Sequence, residues 1–314
     1  MKAMILAAGK GERLLPLTLT KAKPALPVFN VPIIVHTLNF LYKYGIEEVF
    51  INLHYKPESI KYAIDESFDK EMKITFSLER KLLGTAGGLK KVERYFSDET
   101  FVVINSDTLL NFDLKEMIVF HKKNNADSTM LLAYPNKDDS FGKVYLSDDM
   151  QVVDILELVG AEKKCNPMNF TGVHILEPSV FDYIPKEEVK EINSDIYPKL
   201  IKDKKKILGF VNRGYWCDVG TLKRYREIQT EVGDNIAANF NIEKDKNGCL
   251  IGNNTIIDES AEVFNSVIGK NCRIEGGCKI RNCVILDNVV IKRNTLLEKA
   301  IVCCFDGKLQ IIDC

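Results

Sequence analysis

Between residues 251 and 302 an aliphatic side chain returns every sixth position, in sets of three. Ile251, Ile257 and Val263 form the first set. Ile268, Ile274 and Ile280 follow 17 residues later, then Ile285, Ile291 and Leu297, and Val302 begins a fourth turn. Small side chains recur two places before the next aliphatic residue, at Thr255, Ala261, Cys272, Cys278 and Thr295, with Val289 the larger exception. Asn265 and Asn282 occupy matching corners. Three six-residue steps per coil is the period of a hexapeptide parallel β-helix, with three short flat strands per turn. An antiparallel sandwich would not hold a six-residue register through successive coils. Residues 248–314 are therefore expected to form a small left-handed parallel β-helix. A polar, turn-rich linker (233–247) precedes it, with Gly233-Asp234-Asn235 and then Glu243-Lys244-Asp245-Lys246-Asn247-Gly248.

Residues 1–232 have a different rhythm. Met4-Ile5-Leu6-Ala7-Ala8, Val49–Leu53 and Phe101–Asn105 are short apolar runs that suit buried strands. Pro57 to Phe68 and Gly87 to Phe96 suit helices. This alternation predicts an α/β domain with a Rossmann-like, mostly parallel sheet covered by helices. In such sheets ligands bind outside the carboxyl ends of the strands, where the loop at Gly9 and Asn105-Ser106-Asp107 fall.

With 314 residues, 46% hydrophobic and 28% charged, the chain has material for two soluble domains. A formal net charge of −1 gives no long-range pull toward nucleic acid or an anionic membrane, so neither is expected as a partner. No apolar run approaches the length of a membrane span, and the start lacks the pattern of a signal peptide. Nine cysteines without a Cys-x-x-Cys pair, seven of them after residue 240, suit packed, reduced thiols in a cytoplasmic protein. There they act as small hydrophobes at tight corners. Cys303-Cys304 leaves a disulfide or metal role open.

The chemistry concentrates in Leu6-Ala7-Ala8-Gly9-Lys10-Gly11-Glu12-Arg13 and in Ala22-Lys23-Pro24. Glycines at 9 and 11 let the backbone turn and present N–H groups to an anion, with Arg13 and Lys23 adding charge. A dinucleotide fingerprint fails because Leu14 stands where the third glycine belongs, and a Walker A loop is absent. An ordinary glycine turn with solvated charges is the plainer alternative. With Pro16-Leu17-Thr18 and Lys23-Pro24 added, the segment resembles the signature of the sugar-nucleotide pyrophosphorylases. These nucleotidyltransferases make NDP-sugars and pyrophosphate from an NTP and a sugar 1-phosphate.

The resemblance implies roles for further residues. Leu6, Ala7, Ala8, Gly9, Gly11, Arg13 and Ser106 would line the nucleotide, with Arg13, Lys23 and Asp107 catalytic. Asp107, and Asp218 in Trp216-Cys217-Asp218-Val219-Gly220 ahead of a helix starting near Thr221, would bind magnesium. A lone aspartate after a strand is otherwise a turn former. Gly84, Thr85 and Gly87 would wall the base, its Watson–Crick edge read by backbone groups; the alternative is an N-cap turn with Thr85 as cap. Gly142 in Phe141-Gly142-Lys143-Val144, Glu157, and Asn169, Thr171 and Gly172 would form the sugar pocket. Leu83-Gly84-Thr85-Ala86-Gly87 and Asn105-Ser106-Asp107 look most like the mannose-1-phosphate guanylyltransferases, implying GTP and mannose 1-phosphate. Another hexose or amino-sugar 1-phosphate with UTP or dTTP stays open. The chain departs from the family's Glu-Lys-Pro, having Glu157-Leu158-Val159, so Lys163 or Lys164 would have to replace the lysine; Ala22-Lys23-Pro24 stands for Pro-Lys-Pro.

Two rivals follow from the same residues. Hexapeptide β-helices often carry acyltransferases with a histidine base, but His36, His54, His121 and His174 all precede the repeat. A non-catalytic nucleotide sensor draws support from the missing lysine. Exposed coil ends predict a homo-oligomer.

Overall fold

The computed structural model describes residues 1–135, 142–160, 166–231, 239–240 and 242–314. Phe141, Lys163, Lys164 and, within the expected linker, residues 233–238 and 241 lie outside the described residues. In chain order the elements are β1 (Ala3–Leu6), β2 (Pro27–Val28), β3 (Val31–Pro32), α1 (Ile33–Lys43), β4 (Glu48–Leu53), α2 (Pro57–Ser67) and β5 (Lys73–Leu78). Then come α3 (Gly84–Lys91), β6 (Phe101–Asn105), β7 (Thr108–Asn111), α4 (Leu114–Lys123), β8 (Ser128–Ala133), β9 (Lys143–Leu146), β10 (Val152–Ile155) and β11 (Asn166–Leu176). The last before the repeat are α5 (Tyr197–Lys202), β12 (Ile207–Val211), β13 (Tyr215–Asp218) and α6 (Leu222–Thr230). The chain divides into two compact units. One holds Met1–Gly9, Thr37–Pro57 and Asp69–Cys217, the other Lys10–His36, Glu58–Phe68 and Asp218–Cys314.

The first unit is built on one mixed sheet. β5, β4, β1 and β6 run parallel, and Leu6 faces Asn52 on one side and Asn105 on the other. That half matches the expected parallel sheet. β11 then runs antiparallel to β6 over residues 173–176 and to β9 over 166–169 on one edge, while its other edge pairs with β8 from Asn169 to Leu176. The register with β8 slips between Phe170 and His174, a bulge. The strand expected over residues 4–8 stops at Leu6, so Ala7 and Ala8 already belong to the loop. The helix expected from Gly87 to Phe96 starts earlier, at Gly84, and ends at Lys91, with a 3-10 turn at Glu93–Tyr95.

Beneath the sheet Phe50, Phe96 and Phe101 pack ring against ring at 4.9 and 4.7 Å. A polar knot sits in the same core. His174 Nδ1 lies 2.6 Å from the Tyr197 hydroxyl, which lies 2.8 Å from Ser128 Oγ. Burial pushes the His174 imidazole down to about 3, so it is neutral, and pushes the Tyr197 phenol up.

In the second unit the repeat forms β14 (Leu250–Ile251), β15 (Ile256–Ile257), β16 (Glu262–Phe264), β17 (Val267–Ile268), β18 (Arg273–Ile274) and β19 (Lys279–Arg281). It continues as β20 (Val284–Ile285), β21 (Val290–Ile291), β22 (Leu296–Glu298), β23 (Ala300–Phe305) and β24 (Lys308–Asp313). Strands pair parallel with the strand 17 residues on, as Leu250 with Val267, Ile256 with Arg273 and Glu262 with Lys279. Three parallel sheets result, with the register that the sixfold spacing predicts. Ile268, Ile274, Ile280, Ile285 and Ile291 point inward. Ile251 is the exception: its strand is the outer edge of its sheet, and the side chain is 36% exposed.

Corners need left-handed backbone, which asparagine tolerates best after glycine. Asn254, Asn265, Asn271, Asn282, Asn288 and Asn294 all have positive φ. They stack by side-chain bonds, Asn265 Nδ2 donating to Asn282 Oδ1 at 2.6 Å and Asn254 Nδ2 to Asn271 Oδ1 at 3.2 Å. Cys272 and Cys278 are buried at the small positions, and their thiols lie 3.1 and 3.0 Å from the carbonyls of Leu286 and Lys292. Cys303 and Cys304 form no disulfide, nor do the other described cysteines.

The fourth turn begins as expected, with Val302 paired parallel to Ile285, but goes no further. β23 meets β24 antiparallel instead, closing the coil with a hairpin. Asp306 and Gly307, both at positive φ, make the two-residue turn. Asp-Gly in such a turn matches the right-handed twist of paired strands, so the residues themselves carried this signal.

Candidate active site

The carboxyl ends of β1 and β6 adjoin by register, so the loop after Leu6 and the Ser106-Asp107 turn start side by side. Ser106, 3% exposed, fastens them: its backbone N–H and its hydroxyl both donate to the Leu6 carbonyl, at 3.1 and 2.7 Å. Asp107 occupies the turn between β6 and β7, half-buried. Asn105 lies against the Gly172 backbone, where any Cβ would come within 2.7 Å of the amide nitrogen, and Gly172 takes φ +90°. Glycine is required there on both counts.

Two residues that the sequence reading did not single out tie this corner to the Gly84 loop. Ala7 N–H donates to Asn52 Oδ1 at 2.7 Å, and Asn52 Nδ2 donates to Glu79 Oε1 at 2.8 Å. The other Glu79 oxygen accepts from Leu83 N–H at 2.9 Å. Asn52 and Glu79 are 3% and 2% exposed, so these bonds form in a medium where they are strong and where a lost partner is costly. Asn52 is next to last in β4 and Glu79 directly follows β5, the carboxyl ends where such sheets place binding groups; that was the available signal.

Gly84 begins α3, and Leu83 rather than Thr85 is its N-cap. The Thr85 side chain instead donates to Glu191 Oε2 at 2.7 Å and accepts from Ile192 N–H at 2.8 Å. The N–H groups of Ala86 and Gly87 donate to the Lys190 carbonyl, at 2.9 and 3.3 Å, and that of Thr85 to Glu191. Those three N–H groups brace the loop against the segment 190–192.

The sugar-pocket positions gather on β9, β10 and β11. Asn169 is fully buried, and its Oδ1 accepts from Lys143 Nζ at 2.6 Å. Thr171 donates its hydroxyl to the Leu131 carbonyl, while its own carbonyl accepts from the Trp216 indole at 3.0 Å. Glu157 lies in a turn after β10, not in a strand. Leu156 and Glu157 both have positive φ, and Leu158 N–H returns to the Ile155 carbonyl. The buried carboxylate of Asp154 holds this loop through the N–H groups of Val159 and Gly160. Glu157 is exposed and accepts from the Tyr145 hydroxyl at 2.8 Å. Gly142 is exposed.

In the second unit the signature from Gly11 to Lys23 folds into three 3-10 turns. Gly11 has φ +68° and lies so close to Lys23 and Thr18 that a Cβ would meet both at 3.0 Å. Thr18 Oγ1 donates to the Gly11 carbonyl at 3.1 Å. Lys23 is 8% exposed, and Arg13 is exposed on the first turn. Asp218 ends β13, and its carboxylate lies over Gly220, where a Cβ would stand 2.2 Å from Oδ1. Arg224 Nη1 is 3.9 Å away. Thr221 caps α6 by accepting from Arg224 N–H at 3.3 Å, so the helix starts where the sequence placed it.

Among the described residues no three histidine, cysteine or acidic side chains converge as metal ligands. Asp107 and Asp218 are hard carboxylate donors. Each is a donor of the kind magnesium takes when substrate phosphates and water complete its shell.

Residues 2–235 match the family model described as nucleotidyl transferase, and 246–306 the one described as GMPPB C-terminal domain. A Synechocystis protein named UTP–glucose-1-phosphate uridylyltransferase is 31% identical over 91% of this chain and 83% of its own. A Mycobacterium tuberculosis protein named mannose-1-phosphate guanylyltransferase is 29% identical over 95% and 83%. The crystal structure of HddC from Yersinia pseudotuberculosis complexed with GMP-PN superposes with a TM-score of 0.61 at 24% identity. It covers 72% of this chain and 97% of that one and is similar in fold.

Proposed function

The chain belongs to the nucleotidyl transferase family, and from that premise we propose that it makes GDP-mannose and pyrophosphate from GTP and mannose 1-phosphate. Residues 1–232 carry the reaction, 233–247 link, and 248–314 serve as the β-helix. The observation that carries the reading is the fastening of the Leu6–Gly9 loop to the Ser106-Asp107 turn at the carboxyl ends of adjacent parallel strands. A phosphate-gathering loop and a carboxylate thus leave the sheet together.

In the reaction a phosphate oxygen of the sugar 1-phosphate attacks the α-phosphorus of the NTP. The new P–O bond forms as the bond to the bridging β-phosphate oxygen breaks, and that electron pair leaves on pyrophosphate. The nucleophile is already an anion, so no side chain needs to remove a proton, and catalysis reduces to positioning and charge neutralisation. Asp107 and Asp218 would hold magnesium, which supplies charge neutralisation for the phosphates when bound. Arg13 and the Gly9–Arg13 backbone receive the leaving pyrophosphate. Lys23 screens one anionic substrate from the other. Lys143, held against Asn169, is a described cation among the sugar-pocket strands and takes the sugar phosphate. Gly84, Thr85 and Gly87 wall the base, and Glu157 and Gly172 border the sugar.

The Synechocystis relative favours a second pairing, UTP with glucose 1-phosphate. Pyrophosphate release across a panel of NTPs and sugar 1-phosphates decides between them. The first reading expects the highest kcat/KM for GTP with mannose 1-phosphate; release only with UTP and glucose 1-phosphate replaces it. Exposed Ile256, Val290 and Leu296 on the β-helix support self-association. Sedimentation showing only a monomer opposes that part.

A further inference from the structure

α6 carries two neighbouring rows of residues that bond to different partners. Tyr225 and Gln229, four residues apart and so on one face, are fully buried. The Tyr225 hydroxyl donates to the Pro27 carbonyl, and Gln229 Oε1 accepts from Phe29 N–H at 3.0 Å. These bonds hold the chain just after Lys23. Arg226 and Thr230, again four apart, bond toward the repeat. Arg226 is 2% exposed, and its Nε donates to the Cys314 carbonyl at 2.6 Å. The Thr230 carbonyl accepts from Asn265 Nδ2 at 2.6 Å, the same amide that bonds Asn282 in the corner ladder.

The helix therefore bonds both to the β-helix and to the chain just after the phosphate signature. Its first turn also follows Asp218 directly, through Val219, Gly220 and the cap at Thr221, with Arg224 beside the carboxylate. A second clasp joins the same partners without the helix. Asn30 Nδ2 donates to the Ile268 carbonyl at 2.8 Å, and Asp287 accepts from Lys270 N–H at 2.9 Å while its other oxygen lies 3.6 Å from Lys21 Nζ. Buried bonds from one rigid element to two partners form a contiguous route for mechanical coupling.

We propose that α6 is a strut through which the β-helix sets the positions of Lys23 and Asp218, with Tyr225, Arg226 and Gln229 as positioning residues. The repeat then contributes to nucleotidyl transfer without touching substrate. This rests on the catalytic roles assigned above to Lys23 and Asp218.

The test uses the full-length chain and four variants: Tyr225→Phe, Arg226→Lys, Arg226→Met and Asn265→Ala. Asn265 lies in the repeat, outside the machinery of the reaction. Amide hydrogen exchange over residues 24–30 and 215–224 reads local opening. Pyrophosphate release reads kcat and the half-saturating magnesium concentration, and thermal melting reports global folding. The expected result is exchange over both segments faster by about tenfold in Asn265→Ala and Tyr225→Phe, a higher magnesium requirement, and a kcat lower by about tenfold. Arg226→Lys keeps the charge and restores part of each effect relative to Arg226→Met. Unchanged exchange over 24–30 and 215–224 in folded Asn265→Ala overturns the strut. So does faster exchange with kcat and magnesium requirement unaltered, because the link is then merely structural. If the unaltered chain releases no pyrophosphate with any substrate pair, the proposed reaction fails, while the exchange measurement still decides whether the strut exists.

Discussion

The β-helix and the mixed sheet hold their polar groups in opposite ways. In the repeat one solution is applied again every 17 residues: aliphatic inward, asparagine at the left-handed corner, small residue at the tight turn. In the sheet each polar residue has its own arrangement. Asn52 bridges two loops, Asp154 folds a third, and Lys143 leans on Asn169. A repeated solution serves stability, because each coil supports the next. Singular arrangements serve chemistry, because a reaction needs different groups at different points. Damage to the first, away from the corner at Asn265 that bonds α6, should lower stability with turnover kept, and damage to the second should do the reverse.

The largest effect expected is at Asp107. Replacing it with Asn keeps the shape of the turn but removes the charge, and kcat should fall about a thousandfold, roughly 4 kcal/mol of transition-state stabilisation, with an unchanged melting curve. Near-normal turnover would remove Asp107 from the reaction. The opposite case is Ile280→Ala in the repeat. Deleting a fully buried aliphatic side chain should cost about 3 kcal/mol in urea unfolding, with KM for both substrates little altered.

The pH dependence sharpens the contrast, because the buried histidines precede the repeat. His174 falls to about 3 on burial, and burial also lowers His36 and His121. A histidine whose folded value is depressed stabilises the fold above its ordinary value near 6.5, and that contribution is lost as pH falls toward the folded value. From pH 7 to 5, His174 alone should cost about 2 kcal/mol. Urea midpoints at the two pH values measure this, and His174→Gln should flatten the difference; an equal slope in the variant would contradict it.

Much of this contrast is legible in the amino-acid sequence, for a physical reason. The sixfold spacing is a local rule, so counting residues locates the coils and their inward face. The end of the coil was not foreseen, since Val302 keeps the spacing while Asp306-Gly307 turns the chain back. Thr18 beside Gly11 and Ser106 on Leu6 lie within segments that the motifs marked. Asn52 and Glu79 went unmarked because the bonds Ala7–Asn52 and Asn52–Glu79 join residues far apart along the chain, and no spacing rule links residue 7 to 52 or 52 to 79. Thr85 misled because a threonine before a helix suits a cap, whereas tertiary contact with Glu191 claims it.

Two smaller effects remain. Lys143→Met should raise KM for the sugar phosphate about tenfold, or roughly 1.4 kcal/mol, with little change in KM for the NTP. Equal changes in both would take Lys143 out of the sugar site. In the hairpin that closes the repeat, Gly307→Ala should cost about 1 kcal/mol, because φ is +72° there, and should leave turnover intact.

The most direct measurement follows phosphorus by NMR in a mixture of the full-length chain, magnesium, GTP and mannose 1-phosphate. The account predicts that the α-phosphorus signal of GTP moves into a sugar diphosphate while free pyrophosphate grows at the same rate. Release of inorganic phosphate with GDP, or spectra unchanged for every NTP and sugar 1-phosphate paired in this way, would contradict it.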